Sequence, residues 1–587
     1  MPDVRHAPST VDISAYRLRT GTERDTFRGH LADPALAQHR VLADVIEFNA
    51  GTAFGRAHGF QRLRSLKDFR RAVPIHDYDG LRPWIERAAA GEPGVLSADP
   101  ALVFFTSSGS TGDHKKIPVT GRFMRSVFFP FYFTALATMV EYHPDAVADP
   151  DATLNLKYDL PARPATTSSG RPHVGASQVD LGKVFGEPLA AEPGSRASWA
   201  SLSVPVADDD HLGKAYLRLR LAVEHDVRAV IGINPAMVAA LPRQLDDWWP
   251  RIVRDLRDGT LDGRPGGTAN RDLAARLEKL ASAAGTLRPA DVWPNFRLIY
   301  CWASGLASLY LPQVKSAYGT DVEVMPAPVA ASEGPLGVPV DRHPTAGPPA
   351  LGSVLYEFID ADDEIRPDSA TLSVSDLKPG RDYHAIITHV GGLYRYALGD
   401  VVRAMDPVAG VVRLGYAGRN QRSDAAGEAL RESQVIDALS AALKRAGRTV
   451  ANATCRVRSG PAGLPRYTFL LALDDGAPDD GGRDDGGPDD SGGPADDRLA
   501  ATLDTELCRV SPRYRRARAE RRLDPSTVER TAPDAFYREW TRRVAAGTRQ
   551  TQVKDRVFTN DEAVWQRLRA ADRAELADPA GLATVDG

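Results

Sequence analysis

The sequence predicts an α/β protein. A large N-terminal domain of several subdomains, with mixed sheets, helices and a β-barrel-like part, precedes a small mobile α/β domain. Three observations carry this reading. At 587 residues the chain exceeds what one hydrophobic core holds. Its centre alternates helical and short β-branched segments, the pattern of a largely parallel sheet. Past residue 418 a second, shorter set of helix and strand signals begins.

In chain order, Val41–Asn49 carries apolar residues at helical spacing, and Val73–Asp79 reads as a short extended segment. Leu102-Val-Phe-Phe-Thr106, apolar and bounded by a Ser/Gly cluster, predicts a buried strand ending in a loop. Phe123 to Tyr142 reads as an aromatic-rich helix. Helices at Ala215–His225 and Trp248–Asp258 then alternate with strands at Val227–Ile233, Phe296–Tyr300 and Val322–Met325. Val354–Ile359, Tyr383–Thr388 and Val411–Leu414 are strand-rich with turn punctuation, which fits a barrel or an antiparallel sheet. The expected division is a large domain at 1–418, a hinge at 419–423 and a small domain at 424–587. The small domain has a helix at Glu432–Ala446 and strands near Ala453–Val457 and Tyr467–Leu473. The tract Asp474 to Asp497 lacks apolar residues for a core and reads as a disordered acidic insertion.

Apolar content of 43% and charged content of 26% are ordinary for a globular protein. The polar N-terminus shows no secretory pattern, and runs such as Val127–Leu136 fall short of a membrane span, so a cytoplasmic protein with no membrane partner is expected. Cys301, Cys455 and Cys508 lie far apart, which excludes a CxxC zinc site and a disulfide framework. The net charge of −4 conceals ten Asp and one Arg between Asp474 and Asp497, a net of −9, which leaves +5 elsewhere. A mildly basic body suits an anionic nucleotide without implying nucleic acid. The basic cluster Arg513–Arg522 reads as a solvated helix face, a partner for the acidic tract. His114, His173 and His225 are scattered and form no ligand cluster.

The chemistry concentrates in Thr106-Ser-Ser-Gly-Ser-Thr-Gly-Asp-His-Lys-Lys-Ile-Pro118. Small hydroxyl residues and two glycines let backbone amides approach a phosphate, and Lys115 adds a point charge. No Gly-Lys-Ser/Thr closes the loop, so it is not a Walker A motif. The segment resembles the phosphate loop of the adenylate-forming superfamily of acyl-CoA synthetases, peptide-synthetase adenylation domains and luciferases. Its flanks, Val73-Pro-Ile…Tyr78-Asp…Leu81–Arg87…Gly91 and Gly391–Asp400, together with Arg257–Leu261 and Val292–Asn295, resemble the auxin-responsive acyl-acid amido synthetases of plants. The chain is identified as a bacterial member of that family. The resemblance runs from about Val41 to Arg422 and returns weakly near Gln552-Val-Lys554.

The resemblance implies that Ser107, Ser108, Gly109, Ser110, Thr111, Gly112 and Lys115 hold the ATP phosphates. Val329-Ala-Ala-Ser-Glu-Gly334 matches the segment that lies against adenine, giving Ala331 and Ser332, and its Glu333 holds magnesium; the family has an aromatic residue at the place of Val329. Leu393–Asp400 gives Asp400 for the ribose, with Tyr396 and Arg395 beside it or structural. An Asp after a Gly at a strand end can accept both ribose hydroxyls. Tyr416-Ala-Gly-Arg-Asn420 gives Arg419 as a nucleotide ligand, a role that Arg422 fits as well. Gly547–Asp555 gives Lys554 as the lysine brought from the small domain to the adenylation step.

The expected activity is therefore an ATP- and Mg²⁺-dependent ligase of biosynthesis. It activates a small carboxylic acid as an acyl-adenylate and transfers the acyl group to an amine or amino acid. Lys115 and Lys554 are its catalytic residues. Thioester formation with coenzyme A or a carrier protein, and a non-catalytic nucleotide-binding protein, are the alternatives. Val127-Phe-Phe-Pro-Phe-Tyr-Phe133 is the candidate lining of the acid pocket, although a stripe of this spacing is more often plain core.

Overall fold

Asp33 starts the helix Pro34–Asn49: its side chain accepts from the Leu36 amide, and Pro34 fills the first turn, where an amide hydrogen has no helical partner. Ala37, Val41, Leu42 and Val45 form its buried stripe. The computed structural model describes residues 13–107, 115–157, 165–187, 189, 193–461, 463–474 and 494–570. The chain divides into two units, Met1–Gly305 with Lys315–Asn420 and Leu306–Val314 with Gln421–Gly587.

In the first unit Thr153–Asn155, Ala229–Ile231, Leu298–Cys301 and Glu323–Pro326 form a four-stranded sheet in that order, all parallel. The helix Pro235–Asp258 follows its second strand, capped by Asn234 and closed by left-handed Gly259. Asp255, buried near its end, accepts from Tyr216 Oη at 2.7 Å, Thr260 Oγ1 at 2.6 Å and the amides of Asp262 and Gly263. Arg257-Asp-Gly-Thr-Leu261 is thereby a turn tied to a buried carboxylate, a structural motif.

Gly121–Tyr142 is continuous helix apart from a π-helical turn at Met124–Phe128. Two expectations change here. This helix is long and apolar enough to cross a membrane, although the sequence offered no run of that length; 78% of its most apolar window is buried inside the protein. The aromatic stripe expected to line an acid pocket is core. Val127, Phe129, Phe131, Tyr132 and Phe133 are buried and Phe128 partly so, all within the main hydrophobic core.

The strand-rich stretch forms an antiparallel meander, Leu355–Asp360, Asp382–His389, Leu393–Val408 and Val411–Arg419, the second of the two forms expected. In the ladder as described, the first and last of these strands do not pair to close a barrel.

In the second unit the helix Glu432–Ala446 ends at left-handed Gly447 and packs on a sheet ordered Thr449–Ser459, Pro465–Asp474, Thr527–Arg530. The acidic insertion is shorter than expected at both ends. Asp474 closes the Pro465–Asp474 strand opposite Thr449, and Asp496 and Asp497 sit in the first turn of the helix Pro494–Val510, where acidic groups complement the helix dipole. Asp496 is buried and accepts from Arg530 at 2.6 Å. Residues 475–493 lie outside the described part. Arg518 pairs with Asp504, and Arg522 with Glu520, so neighbours in the fold partner these members of the basic cluster.

Candidate nucleotide site

The expected phosphate loop hangs from an antiparallel hairpin. Ala101–Ser107 pairs with Lys115–Thr120 in a register that puts Ser107 opposite Lys115, so both loop ends meet. Ser108, Gly109, Ser110, Thr111 and Gly112 lie outside the described residues, as does His114. The strand holds because Val103, Phe104 and Phe105 are fully buried, and Ile117 and Val119 back them.

Lys115 leaves the hairpin towards Tyr396, its Nζ 3.4 Å from the phenol oxygen and 5.5 Å from the centre of the Tyr78 ring. The ring face attracts the ammonium. Tyr78 also accepts the Lys116 amide hydrogen at 2.9 Å, and Lys116 pairs with Glu86, so one helix, Tyr78–Ala89, braces both lysines.

A second hairpin brings the next residues. Val329–Ala331 and Gly334–Gly337 pair with Ala331 opposite Gly334, which leaves Ser332 and Glu333 as a two-residue turn. The segment therefore turns between strands and caps no helix. Ser332 Oγ donates to the Thr106 carbonyl at 3.4 Å, which ties this turn to the end of the loop-bearing strand. Glu333 is 3% exposed and lies 3.4 Å from the Tyr396 hydroxyl that donates to it. Burial pushes its carboxyl above the ordinary range; Lys115 pulls it down and Asp400 pushes it up. Burial chiefly, with Glu333 beside it, raises the Tyr396 phenol far above its usual range, so this phenol stays protonated. Val329 is buried in the core.

Asp400 lies opposite Arg419 across the last two strands of the meander. The strand runs on to Val408, so Asp400 sits within it, not at its end as expected. Gly399 supplies the local irregularity at φ +80, and its carbonyl accepts the Asn420 amide at 2.8 Å. Hydrogen bonds and the electrostatic influence of near neighbours thus link Lys115, Ser332, Glu333, Tyr396 and Asp400, with Arg419 opposite Asp400. Lys554 belongs to the second unit, exposed on the segment after Gln550–Gln552.

Three residues that hold this arrangement escaped the sequence reading as individuals. Tyr78 stood inside a quoted motif without a role. Glu357 carried no local signal; it forms a buried pair with Arg395, 1% and 2% exposed at 3.0 Å, and also accepts from Arg70 and Thr371. Arg395 has φ +43, a conformation costly for a side-chain-bearing residue, and it directly precedes Tyr396. The third is His389. The Gly391 amide donates to its Nδ1 at 3.1 Å, so the proton sits on Nε2, which donates to the Glu333 carbonyl at 2.9 Å.

Burial lowers the His389 pKa from 6.5 to about 4. The folded state thus holds a neutral ring that the unfolded chain would protonate. This stability is complete above the unfolded value of 6.5 and is lost as pH falls through about 4. Urea titrations from pH 7 to 4 should show a loss of up to about 3 kcal/mol at this site, and His389→Gln should flatten that part of the profile.

Among the described residues no group of three or more His, Cys, Asp or Glu side chains could hold a metal. Glu333 offers one carboxylate, and that suffices for a magnesium ion whose other ligands are phosphate oxygens and water.

The GH3 family N-terminal domain matches residues 24–324, the GH3 family central domain residues 349–419 and the GH3 family C-terminal domain residues 433–563. The chain is 26% identical over 439 residues to the probable indole-3-acetic acid-amido synthetase GH3.1 of Oryza sativa subsp. japonica, covering 68% of each protein. It is 23% identical over 434 residues to the indole-3-acetic acid-amido synthetase GH3.3 of Arabidopsis thaliana, again 68% of each. The solved structure of AtGH3.15 acyl acid amido synthetase in complex with 2,4-DB superposes with a TM-score of 0.75 at 20% identity, covering 94% of this chain and 96% of that one. A second structure of GH3.15 acyl acid amido synthetase gives 0.72 at 19% identity, covering 97% and 98%. These likenesses show a shared fold. With three consecutive family domains matched along most of its length, the chain belongs to the GH3 family.

Proposed function

We propose that this chain, a bacterial and cytoplasmic member of its family, uses ATP to activate a small carboxylic acid and passes the acyl group to the amino group of an amino acid. It is an adenylate-forming enzyme that makes amide bonds. The observation that carries the nucleotide reading is the array of half-buried Lys115 with buried Tyr396 and Glu333, under the influence of Asp400, at the end of the loop-bearing hairpin.

In the first half-reaction a carboxylate oxygen of the acid bonds to the α-phosphorus, and the bond from that phosphorus to the bridging oxygen breaks. Pyrophosphate leaves with the electron pair. Ser107, Ser108, Gly109, Ser110, Thr111 and Gly112 supply amides and hydroxyls to the phosphates, and Lys115 supplies charge, steadied by Tyr78 and Tyr396. Ala331 and Ser332 border the base, and Asp400 and Arg419 take the ribose and neighbouring oxygens. Glu333 would hold magnesium, which when bound withdraws charge from the phosphates. Lys554 adds a second cation in this step. In the second half-reaction the amine nitrogen bonds to the acyl carbon and gives up a proton to solvent, and AMP departs with the electron pair as the mixed-anhydride C–O bond to its phosphate breaks. Residues 419–423 are the hinge in this reading; the two units part at Asn420. No nucleic acid or membrane takes part.

Acid-dependent exchange of labelled pyrophosphate into ATP tests the reading. The acids are indole-3-acetate, 2,4-DB and benzoate, with hydroxylamine to trap acyl-adenylate. Amino acids and coenzyme A are then offered as acceptors. Exchange with amide product supports the proposal. Thioester product alone, or ATP binding without exchange, overturns it. Lys554→Ala should slow exchange by about 100-fold and leave acyl transfer from preformed adenylate intact; equal loss in both steps removes the lysine from its role.

A further inference from the structure

Residues 553–557 are in no helix, and their burial alternates, with Asp555 half-buried between two exposed neighbours. Val553 and Val557 are 4% exposed, whereas Lys554 and Arg556 face outward. A strand-like chain places successive side chains on opposite sides, so a slip of one residue would turn Lys554 inward. What prevents the slip is a lock on the inward side. The Asp555 carboxylate accepts from Tyr310 Oη at 2.6 Å and from Asn452 Nδ2 at 2.8 Å. Tyr310 comes from the stretch Leu306–Val314 and Asn452 from the strand Thr449–Ser459, all within the second unit. Two residues on, the Cys455 amide donates to the Val557 carbonyl at 2.7 Å and the Thr559 amide to the Cys455 carbonyl at 2.9 Å, so the chain runs parallel to that strand at Val557–Thr559.

We infer that Asp555 is the positioning residue for Lys554: it sets the register of this segment so that the lysine, and not the carboxylate, is presented outward. Burial pushes the Asp555 carboxyl above its ordinary range, and only neutral donors offset this. A hydrophobic residue there would pack at less cost, yet would define no register, since apolar contacts lack direction. Asp555 touches neither nucleotide nor acid in this scheme and acts through its neighbour. The inference rests on Lys554 serving adenylate formation.

The test compares wild type, Asp555→Asn, Tyr310→Phe, Lys554→Ala and the double variant Asp555→Asn with Asn452→Asp. Each is assayed for pyrophosphate exchange with ATP, magnesium and whichever of indole-3-acetate, 2,4-DB or benzoate the wild type activates. Each is then assayed for acyl transfer from the synthetic adenylate of that acid. Asp555→Asn should lower exchange about 10- to 100-fold, the scale of a misplacement near 1 Å, and leave acyl transfer close to wild type. Tyr310→Phe should fall the same way by less, and the double variant should recover exchange, since it restores a carboxylate–amide pair with the roles reversed. A folded Asp555→Asn enzyme with wild-type exchange, or one losing both half-reactions equally, overturns the inference. If Asp555→Asn fails to fold, Tyr310→Phe decides by the same comparison. Full exchange by Lys554→Ala would sink the lysine's own role, whereas an impaired Lys554→Ala beside an unimpaired Asp555→Asn would sink the positioning alone.

Discussion

Glu333→Gln is expected to lower acid-dependent pyrophosphate exchange by at least about 100-fold while leaving the protein as stable as wild type or more so. The two effects separate because the site holds an ionisable group against its preference. The amide keeps the volume and an oxygen for the Tyr396 hydroxyl, so packing and the existing hydrogen bond survive. It removes a charge whose burial already raises the carboxyl pKa, so the fold loses a cost. The nucleotide complex loses the ligand that would hold magnesium. The sign of the pH effect follows. With the folded pKa above the unfolded one, Glu333 favours the fold most below the unfolded value, and that contribution is lost as pH rises through the folded value. Magnesium requires the ionised form, so the magnesium concentration for half-maximal exchange should rise as pH falls through the same folded pKa. Unfolding curves and magnesium titrations on wild type and Glu333→Gln check both. Equal activity of the two would remove Glu333 from the site.

Glu357→Gln should destabilise the first unit by about 3–5 kcal/mol, the scale for removing one member of a buried pair. Arg395 is 2% exposed, and the guanidinium of Arg70 approaches the same carboxylate at 2.8 Å, so the substitution leaves two cations facing an amide. Arg395 also donates to the carbonyls of Arg70 and Val73, which anchors its own left-handed backbone. The neighbouring Tyr396 touches Lys115 and Glu333, so loss of the pair should weaken ATP use in molecules that still fold. Glu357→Leu combined with Arg395→Met should recover most of the stability, because an apolar pair of similar size carries no desolvation cost. It should not fully recover ATP use, since nothing then enforces the turn before Tyr396. Denaturant unfolding and the KM for ATP distinguish the two consequences. A Glu357→Gln protein of wild-type stability would show that the pair contributes little.

How far the site could be read in advance differs by residue. The strand that ends at Ser107 was legible because an apolar, β-branched run bounded by small hydroxyl residues and glycines has a local meaning. The Ser332–Glu333 pair was legible as a motif, but its form was not: the same residues suit a helix start or a hairpin turn, and pairing of Val329–Ala331 with Gly334–Gly337 selects the turn. The aromatic stripe at Val127–Phe133 has the composition of a pocket wall and of a core, and the elements packed around it make it core. The ends of the acidic tract misled for a related reason. Asp474 and Asp496 look like their neighbours in sequence, yet one closes a strand and the other meets Arg530.

From sequence alone came the α/β class, the parallel sheet and the main helices and strands, since periodicity and turn chemistry act over a few residues. Only the tertiary structure decided which polar groups meet: Glu357 with Arg395 across 38 positions, Lys115 with Tyr396 across 281, and Asp555 with Tyr310 across 245. Such pairings depend on strand register and on which faces become buried, and those are set by the whole chain packing at once.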